Sequence, residues 1–358
     1  MAPGQSSIQV QGPEDPPRLI FTCCDKTVAA AQSLLADPAV IAALQNLHAG
    51  LALAVPDFSP QRASLVRSLN AAGIPLIAWI ELPHEQGTYL NTGDFPAAEA
   101  AFRQFEQWSA QYALRWQGVG LDIEPNFTDF ARLQGHRWRL VRLLASRYVA
   151  RARVLRARSN YAGLIHQLQA RGFFVQTYQL PFIVAEREEH STLLERLLGV
   201  VDVQGDQEAL MLYTSYAPEV GAGMIWTLGP HAQAIALGST EAAPGAGSRG
   251  APLSWERFSQ DLIVAAHFSH TLGVYSLEGC VQQGFLGRLQ SMDWHQSTVI
   301  PAPQLHHADR MSRAIRAGIW IGTWLPLIVA LVLLWIAALI WYWRVRRRLV
   351  RLRMESPQ

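Results

Sequence analysis

The chain has 358 residues, half of them hydrophobic, and a formal net charge of +2. That is enough apolar material for one large domain or two ordinary ones, and it excludes a wholly disordered chain; the near balance of charge also argues against a nucleic-acid partner. Three cysteines, Cys23, Cys24 and Cys280, are too few for a disulfide scaffold and match no thiol-rich zinc spacing, so no metal site is expected.

Residues 1–17 are polar with Pro and Gly and are expected to form a flexible tail; they carry neither the basic n-region nor the apolar h-region of a signal peptide. From residue 18 onwards short apolar runs alternate with longer amphipathic stretches. The runs are RLIFTCCD, GLALAVPD, IPLIAWIEL, GVGLDIEP, FFVQTYQL, ALMLYTSY, AIALGST and TLGVYSLEG. Helical periodicity fills most of the gaps, as in VAAAQSLLADPAVIAALQNL, FPAAEAAFRQFEQWSAQYAL and WERFSQDLIVAAHFSH. Eight parallel strands with crossover helices close into a (β/α)8 barrel, the TIM-barrel fold, of about 250 residues or slightly more. Residues 18–295 fit that size.

Between strands six and seven, APEVGAGMIWTLGPHAQ reads as a loop with a short helix, and EAAPGAGSRGAPL after strand seven reads as a mobile loop. The fourth connection stands apart, with nine Arg and no acid from Arg132 to Arg158. Two readings stand for it: a basic helix against anionic lipid headgroups, and a solvated outer helix.

STVIPAPQLHHADR links the barrel to a membrane segment, giving a linker over residues 296–316 in which His306 and His307 read as polar linker residues. Ala317 to Trp343 then carries no charge. A hydrocarbon core of about 30 Å needs roughly 20 helical residues, so residues 317–343 are expected to cross a bilayer. Trp320 and Trp324 at one end, and Trp341, Tyr342 and Trp343 at the other, are placed as aromatic belts. Six Arg in the tail 344–358 outnumber Arg310, Arg313 and Arg316 before the span. The positive-inside bias therefore predicts a single-pass protein with a cytoplasmic C-terminus and an extracytoplasmic barrel; the missing signal peptide keeps a cytoplasmic barrel open as the alternative.

In barrels of this kind chemistry sits at the C-terminal ends of the strands. In GVGLDIEPNF, Gly118 to Phe127, alternation puts Gly120, Asp122 and Glu124 on one face and Val119, Leu121 and Ile123 on the other. With the apolar face turned to the helices, both carboxylates point into the barrel mouth. Two like charges so close cannot both ionise freely, so one carboxyl keeps its proton near neutral pH and can serve as a general acid. The alternative is a strand-end Asp and Glu bound to backbone amides or to Arg. Other strand-end polar groups that could complete a site are Asp25, Asp57, Glu81, Gln176, Tyr178, Tyr216 and Glu278; pairing Glu124 with Glu81 would make an ordinary two-carboxylate glycosidase. Cys280 and the Cys23–Cys24 pair end neighbouring strands, so a disulfide is geometrically possible, buried free thiols being the more frequent outcome.

Three fragments in this order resemble the family 18 glycoside hydrolases, the chitinase-like barrels. QGVGLDIE keeps the last two acids of the family's D-x-x-D-x-D-x-E as Asp122 and Glu124, with Gln117 and Gly120 where the first two Asp stand. Met211 to Tyr213 is similar to the family's M-x-Y on strand six, with Thr214 replacing the Asp that usually follows. Gly273 to Gly279, GVYSLEG, resembles a shortened G-V-x-x-W-S-x-D-G, with Tyr275 where the floor Trp falls. The strand-three glycine motif is missing from IAWIEL, and the resemblance covers the barrel but neither tail.

The resemblance implies retaining, substrate-assisted cleavage of an N-acetylhexosamine-containing glycan. Glu124 would protonate the glycosidic oxygen, Asp122 would orient the 2-acetamido group, Tyr213 would hydrogen-bond near that group, and Tyr275 would floor the sugar ring. No cofactor is implied. The expected partners are a glycan and the lipid bilayer, with no nucleic acid. A catalytically inactive barrel that binds carbohydrate or an envelope partner at the same face is the alternative, because the lost Asp residues and glycine motif permit it.

Overall fold

A computed structural model describes residues 6–24, 27–83, 88–126, 137–241 and 251–354, with Arg137 and residues 347–354 as backbone only. Strand β1 (Ile8–Val10) precedes β2 (Arg18–Cys23) and helices α1 (Val28–Leu35) and α2 (Pro38–Asn46). Alternation continues through β3 (Gly50–Val55), α3 (Pro60–Ala71), β4 (Leu76–Ile80), α4 (Phe95–Gln111) and β5 (Gly118–Asp122). Two helices, α5 (Arg137–Tyr148) and α6 (Arg151–Ala170), lie between β5 and β6 (Phe174–Gln179). After them come α7 (Phe182–Glu188), α8 (Leu193–Leu198), β7 (Gln207–Met211), α9 (Ala222–Leu228), β8 (Ala234–Gly238), α10 (Trp255–Ala266) and β9 (Thr271–Tyr275). The chain ends with α11 (Leu277–Gln282), α12 (Phe285–Gln290), β10 (Thr298–Ile300) and α13 (Ala302–Met354).

Strands β2 to β9 pair in sequence order, all parallel, and β9 returns to β2 to close the ring. This is the TIM barrel expected from the alternation. Because helices cover the outer face while the inner face fills the ring, the strands read as near-continuous apolar runs. Phe21, Leu53, Val119, Leu121, Val175, Leu210, Leu237 and Val274 are buried outward, whereas Ile20, Ala52 and Ile77 make a separate cluster within the ring. Side-chain caps begin several helices: Thr27, Asp37, Ser59 and Ser254 accept from the backbone N–H of Ala30, Ala39, Arg62 and Arg257. The loop after β3 is pinned by Arg62, which is fully buried, pairs with Asp57 at 2.9 Å and donates to the Ala54 carbonyl at 2.9 Å. Asp57 is thus a loop anchor.

Two segments expected to be irregular are ordered. Residues 8–10 of the supposed flexible tail form β1, which pairs antiparallel with β10, Ile8 opposite Ile300. Val10 and Ile300 are both buried, and that apolar burial holds the tail to the far end of the barrel chain. The supposed linker 296–316 contains β10 and the first turns of α13. The start of α13 packs on α9, α7 and α8, burying Leu305 and Ala308 and, within the segment expected to cross the bilayer, Ile319, while Ser191 Oγ meets Thr323 Oγ1 at 2.8 Å. From Trp324 to Arg344 every side chain is exposed. Helix α13 is long and apolar enough to cross a membrane, and Pro326 sits inside it without ending it. His307 lies 3.2 Å from the Glu219 carbonyl, and among the described residues no cluster could hold a metal ion.

The short helix expected between strands six and seven is α9. Residues 242–250, read as a mobile loop, lie outside the described residues. None of the three cysteines forms a disulfide, so the possible bridge between Cys280 and the end of β2 is not made.

Candidate active site

The segment after β4 returns to lie beside the end of β5. Leu90 and Ile123 form a parallel bridge, with Leu90 N donating to Asp122 O at 3.0 Å and Glu124 N donating to Leu90 O at 3.1 Å. This rung prolongs the alternation of β5 by two residues. Leu121 and Ile123 are fully buried outward, Asp122 is 6% exposed on the inner side, and Glu124 is partly exposed on the same face. The next strand supplies Tyr178 as the register partner of Asp122. A Cβ at Gly120 would lie 3.2 Å from the Tyr178 ring, so the aromatic edge fills the space above the glycine.

Burial raises the Asp122 pKa well above the ordinary carboxylate value; Glu124 and Glu81 add to the rise, and a hydrogen bond from the Trp79 side chain opposes it. Its Oδ1 is buried with no hydrogen-bond partner among the described residues. Burial also pushes the Glu124 carboxyl up to about 7. Among the described residues no Arg, Lys or His is ion-paired with either group, whereas two other buried acids, Glu195 and Glu208, sit against Arg158 and Arg187. Between them the two carboxyls hold a proton more tightly than ordinary surface acids do.

Tyrosines surround them. The Tyr213 ring lies 5.7 Å from that of Tyr275 and 6.3 Å from that of Tyr216. Burial, then Asp122 and Glu124, raise the Tyr213 pKa, so its hydroxyl keeps its proton and can donate. Burial followed by the neighbouring Cys24 does the same to Tyr275. Tyr216 stands at the rim on a short 3-10 turn, 43% exposed. Glu81 is buried at the end of β4, close enough to Asp122 to raise its pKa.

Three expected ligand contacts fare differently. Gln176 is 2% exposed and a layer deeper in the ring: it accepts from the Tyr178 hydroxyl at 2.8 Å and donates to Gln207 at 2.9 Å. It is a support for Tyr178 and not a substrate contact, since a residue two positions earlier on the strand points the same way but sits nearer the floor. Glu278 accepts from the Cys24 backbone N–H at 2.6 Å, tying the end of β2 to α11 as an anchor. Asp25 lies outside the described residues. Thr214, which replaces the family's Asp, turns its hydroxyl outward to donate to buried Asp261 on α10.

Residues the sequence reading did not assign to the site are Trp79, Tyr89 and Cys24. Trp79 shares the inner face with Glu81 by simple alternation and was legible on that ground. Its ring stacks on Tyr89 at 6.5 Å, and Tyr89 belongs to a loop with no periodic pattern. Cys24 lies beside Tyr275 and Glu278; burial, then Glu278, raise its pKa, so it is a neutral thiol and a poor nucleophile.

No protein-family model matches the chain, and no curated protein matches it. Among solved structures the chain is similar to a D-allulose 3-epimerase from a Methylomonas species, at 11% sequence identity and a TM-score of 0.40, over 84% of this chain and 99% of that one. A likeness that distant carries no argument about reaction or substrate. The fold rests on the closed ring of eight parallel strands itself.

Proposed function

We propose that the chain is a membrane-anchored glycoside hydrolase of the chitinase-like kind, cleaving an N-acetylhexosamine-containing glycan with retention. The observation that carries this reading is the state of Glu124: partly exposed at the barrel mouth, its carboxyl pushed up to about 7, beside an Asp122 with one oxygen unbonded and, among the described residues, no cation paired with either acid. An acid of that strength is part protonated at neutral pH, which is what proton donation to a leaving group requires.

The steps follow from these positions. Glu124 gives its proton to the glycosidic oxygen as the bond to the anomeric carbon breaks. The acetamido carbonyl oxygen of the same sugar attacks that carbon and closes a cyclic oxazolinium ion, whose N–H is held by Asp122. Glu124, now a carboxylate, takes a proton from the water that reopens the ring, restoring the acid and retaining the configuration. The protonated Tyr213 hydroxyl is a donor for the reacting acetamido group, and the Tyr275 ring offers an apolar face to the sugar. Helix α13 is the anchor, and the Arg bias across it favours a barrel outside the cytoplasm.

The test uses full-length protein in detergent with fluorogenic N-acetylhexosaminides. Turnover that is lost in Glu124→Gln and kept in the remote variant Gln290→Ala supports the reading; equal background rates from all three proteins sink it. One observation favours a second reading, a silent barrel that binds carbohydrate: Tyr178 occupies the room over Gly120 in which the family carries another Asp. Saturable binding of an N-acetylated oligosaccharide, unaltered in Glu124→Gln and without turnover, would select it.

A further inference from the structure

Helix α5 contains no fully buried side chain among its described residues. Leu140, Leu143, Leu144 and Tyr148 are half-buried towards the protein, while Trp138, Val141, Ala145 and Val149 are exposed. Steps of three and four residues put Trp138, Val141 and Ala145 on one stripe of the helix, and Val149 follows at its end in the turn after Tyr148. Trp138 is 85% exposed and Val149 76%, an apolar line facing away from the barrel. Arg139 and Arg142 flank it, both exposed and without an ion pair among the described residues. A helix built for water would carry charge along that line; this one carries Trp and Val between arginines, with no acid anywhere from Arg132 to Arg158.

Its place in the fold says what covers it. The Tyr148 hydroxyl donates to the carbonyl of Gly322 on α13 at 2.5 Å, and Arg147 donates to the Leu197 carbonyl at 3.2 Å. At Gly322 α13 closely approaches the barrel, since a Cβ there would lie 2.3 Å from Leu193 Cδ2, and among the described residues Thr323 is the last of α13 with a hydrogen bond to the barrel, through Ser191. Beyond it, Trp324 to Trp343 is uncharged and exposed, a length of about 30 Å at 1.5 Å per residue, which matches a hydrocarbon core. The end of α5 is therefore held at the level where protein contact stops and the apolar span begins. A surface at that level meets phospholipid headgroups, and an apolar stripe edged by Arg fits their boundary with the acyl chains.

We propose that α5 is an interfacial helix, its Trp138–Val149 stripe set among the acyl chains of the bilayer that α13 crosses and its Arg139 and Arg142 on anionic phospholipid headgroups. The proposal rests on α13 being a membrane span. It gives the barrel a second point of attachment, so that the domain holds one orientation to the bilayer and does not swing on a single helix.

The experiment uses the full chain reconstituted into nanodiscs of phosphatidylcholine, with or without phosphatidylglycerol. An environment-sensitive fluorophore is placed at Val149→Cys, with Ser291→Cys on the opposite side of the barrel as reference and the unsubstituted chain as labelling blank. Doxyl-labelled lipid is expected to quench the Val149 label several-fold more than the Ser291 label, more strongly in the anionic discs, and Arg139→Glu with Arg142→Glu is expected to abolish the anionic increment. A Val149 label as open to aqueous iodide as the Ser291 label, in discs that retain the chain through an alkaline wash, overturns the interfacial helix alone. Release of the chain by that wash overturns the span and the proposal with it.

Discussion

Asp122 and Tyr178 are register partners on adjacent strands, and the Tyr178 ring comes within 3.2 Å of where a Cβ at Gly120 would stand. The carboxyl and the ring thus divide between them the space above Gly120. Placing an acid there by Gly120→Asp is expected to cost about 1–3 kcal/mol in urea unfolding, since the ring is held by its hydroxyl on Gln176 and cannot yield freely. Combining it with Tyr178→Ala should cost less than the sum of the two single changes, which a double-mutant cycle reads directly.

In the proposed reaction Glu124 acts as the acid only while protonated. With its carboxyl at about 7, kcat/KM should fall as the pH rises through that value, and Glu124→Gln should lower turnover by about 10²–10⁴ and flatten that limb. A rate profile on the best fluorogenic substrate checks both.

Stability should follow pH in the same window and with the same sign. Between its ordinary value of 4.5 and about 7, folded Glu124 holds a proton that the unfolded chain releases, so its contribution is full below 4.5 and is lost as the pH rises to about 7. Asp261, raised from 3.8 to about 7 chiefly by burial, adds to the slope. Glu124→Gln and Asp261→Asn are each expected to melt higher than the parent above neutral pH, by on the order of a few degrees, with the gap closing in acid. Thermal unfolding across the range reads the crossing.

Arg62→Met tests the buried cation beside β3. Asp57, left behind, is 40% exposed in its side chain and keeps a hydrogen bond from the Ser59 N–H at 3.0 Å, so water and that bond compensate it. The Ala54 carbonyl loses its donor in a dry setting. A loss of about 2–4 kcal/mol in denaturant unfolding is expected, from the unmade bond and poorer packing.

In the proposed reading helix α13 has two jobs along its length. A chain ended after Thr323 should stay folded and leave the membrane fraction, because Leu305, Ala308 and Ile319 still cover α7, α8 and α9. A chain ended after Ile300 should aggregate, since that apolar face is then bare. Size-exclusion chromatography of the two separates these outcomes.

The barrel was legible because each strand announces itself locally. RLIFTC and GLALAV are apolar runs bounded by turn residues, and the eight of them follow one another in the order in which they pair. The inward aim of Asp122 and Glu124 was legible too, from a period of two, and so was the uncharged run before the Arg-rich tail. What was not legible depends on residues far apart in the chain. Ile8 becomes a strand only because Ile300 lies beside it. Gln176 is a buried support and Glu278 an anchor because Tyr178, Gln207 and the Cys24 amide reach them first. Tyr89 arrives at the mouth on a loop without pattern.

Periodicity and hydropathy are carried by neighbours in sequence, so the chain alone determined the ring of strands, the direction of its acids and the apolar span. Proton affinity and access are set by what surrounds a group in space. Only tertiary structure could therefore decide that Glu124 is pushed up to about 7, that a tyrosine ring covers Gly120, and that Tyr148 ties the basic helix to the point where α13 leaves the barrel.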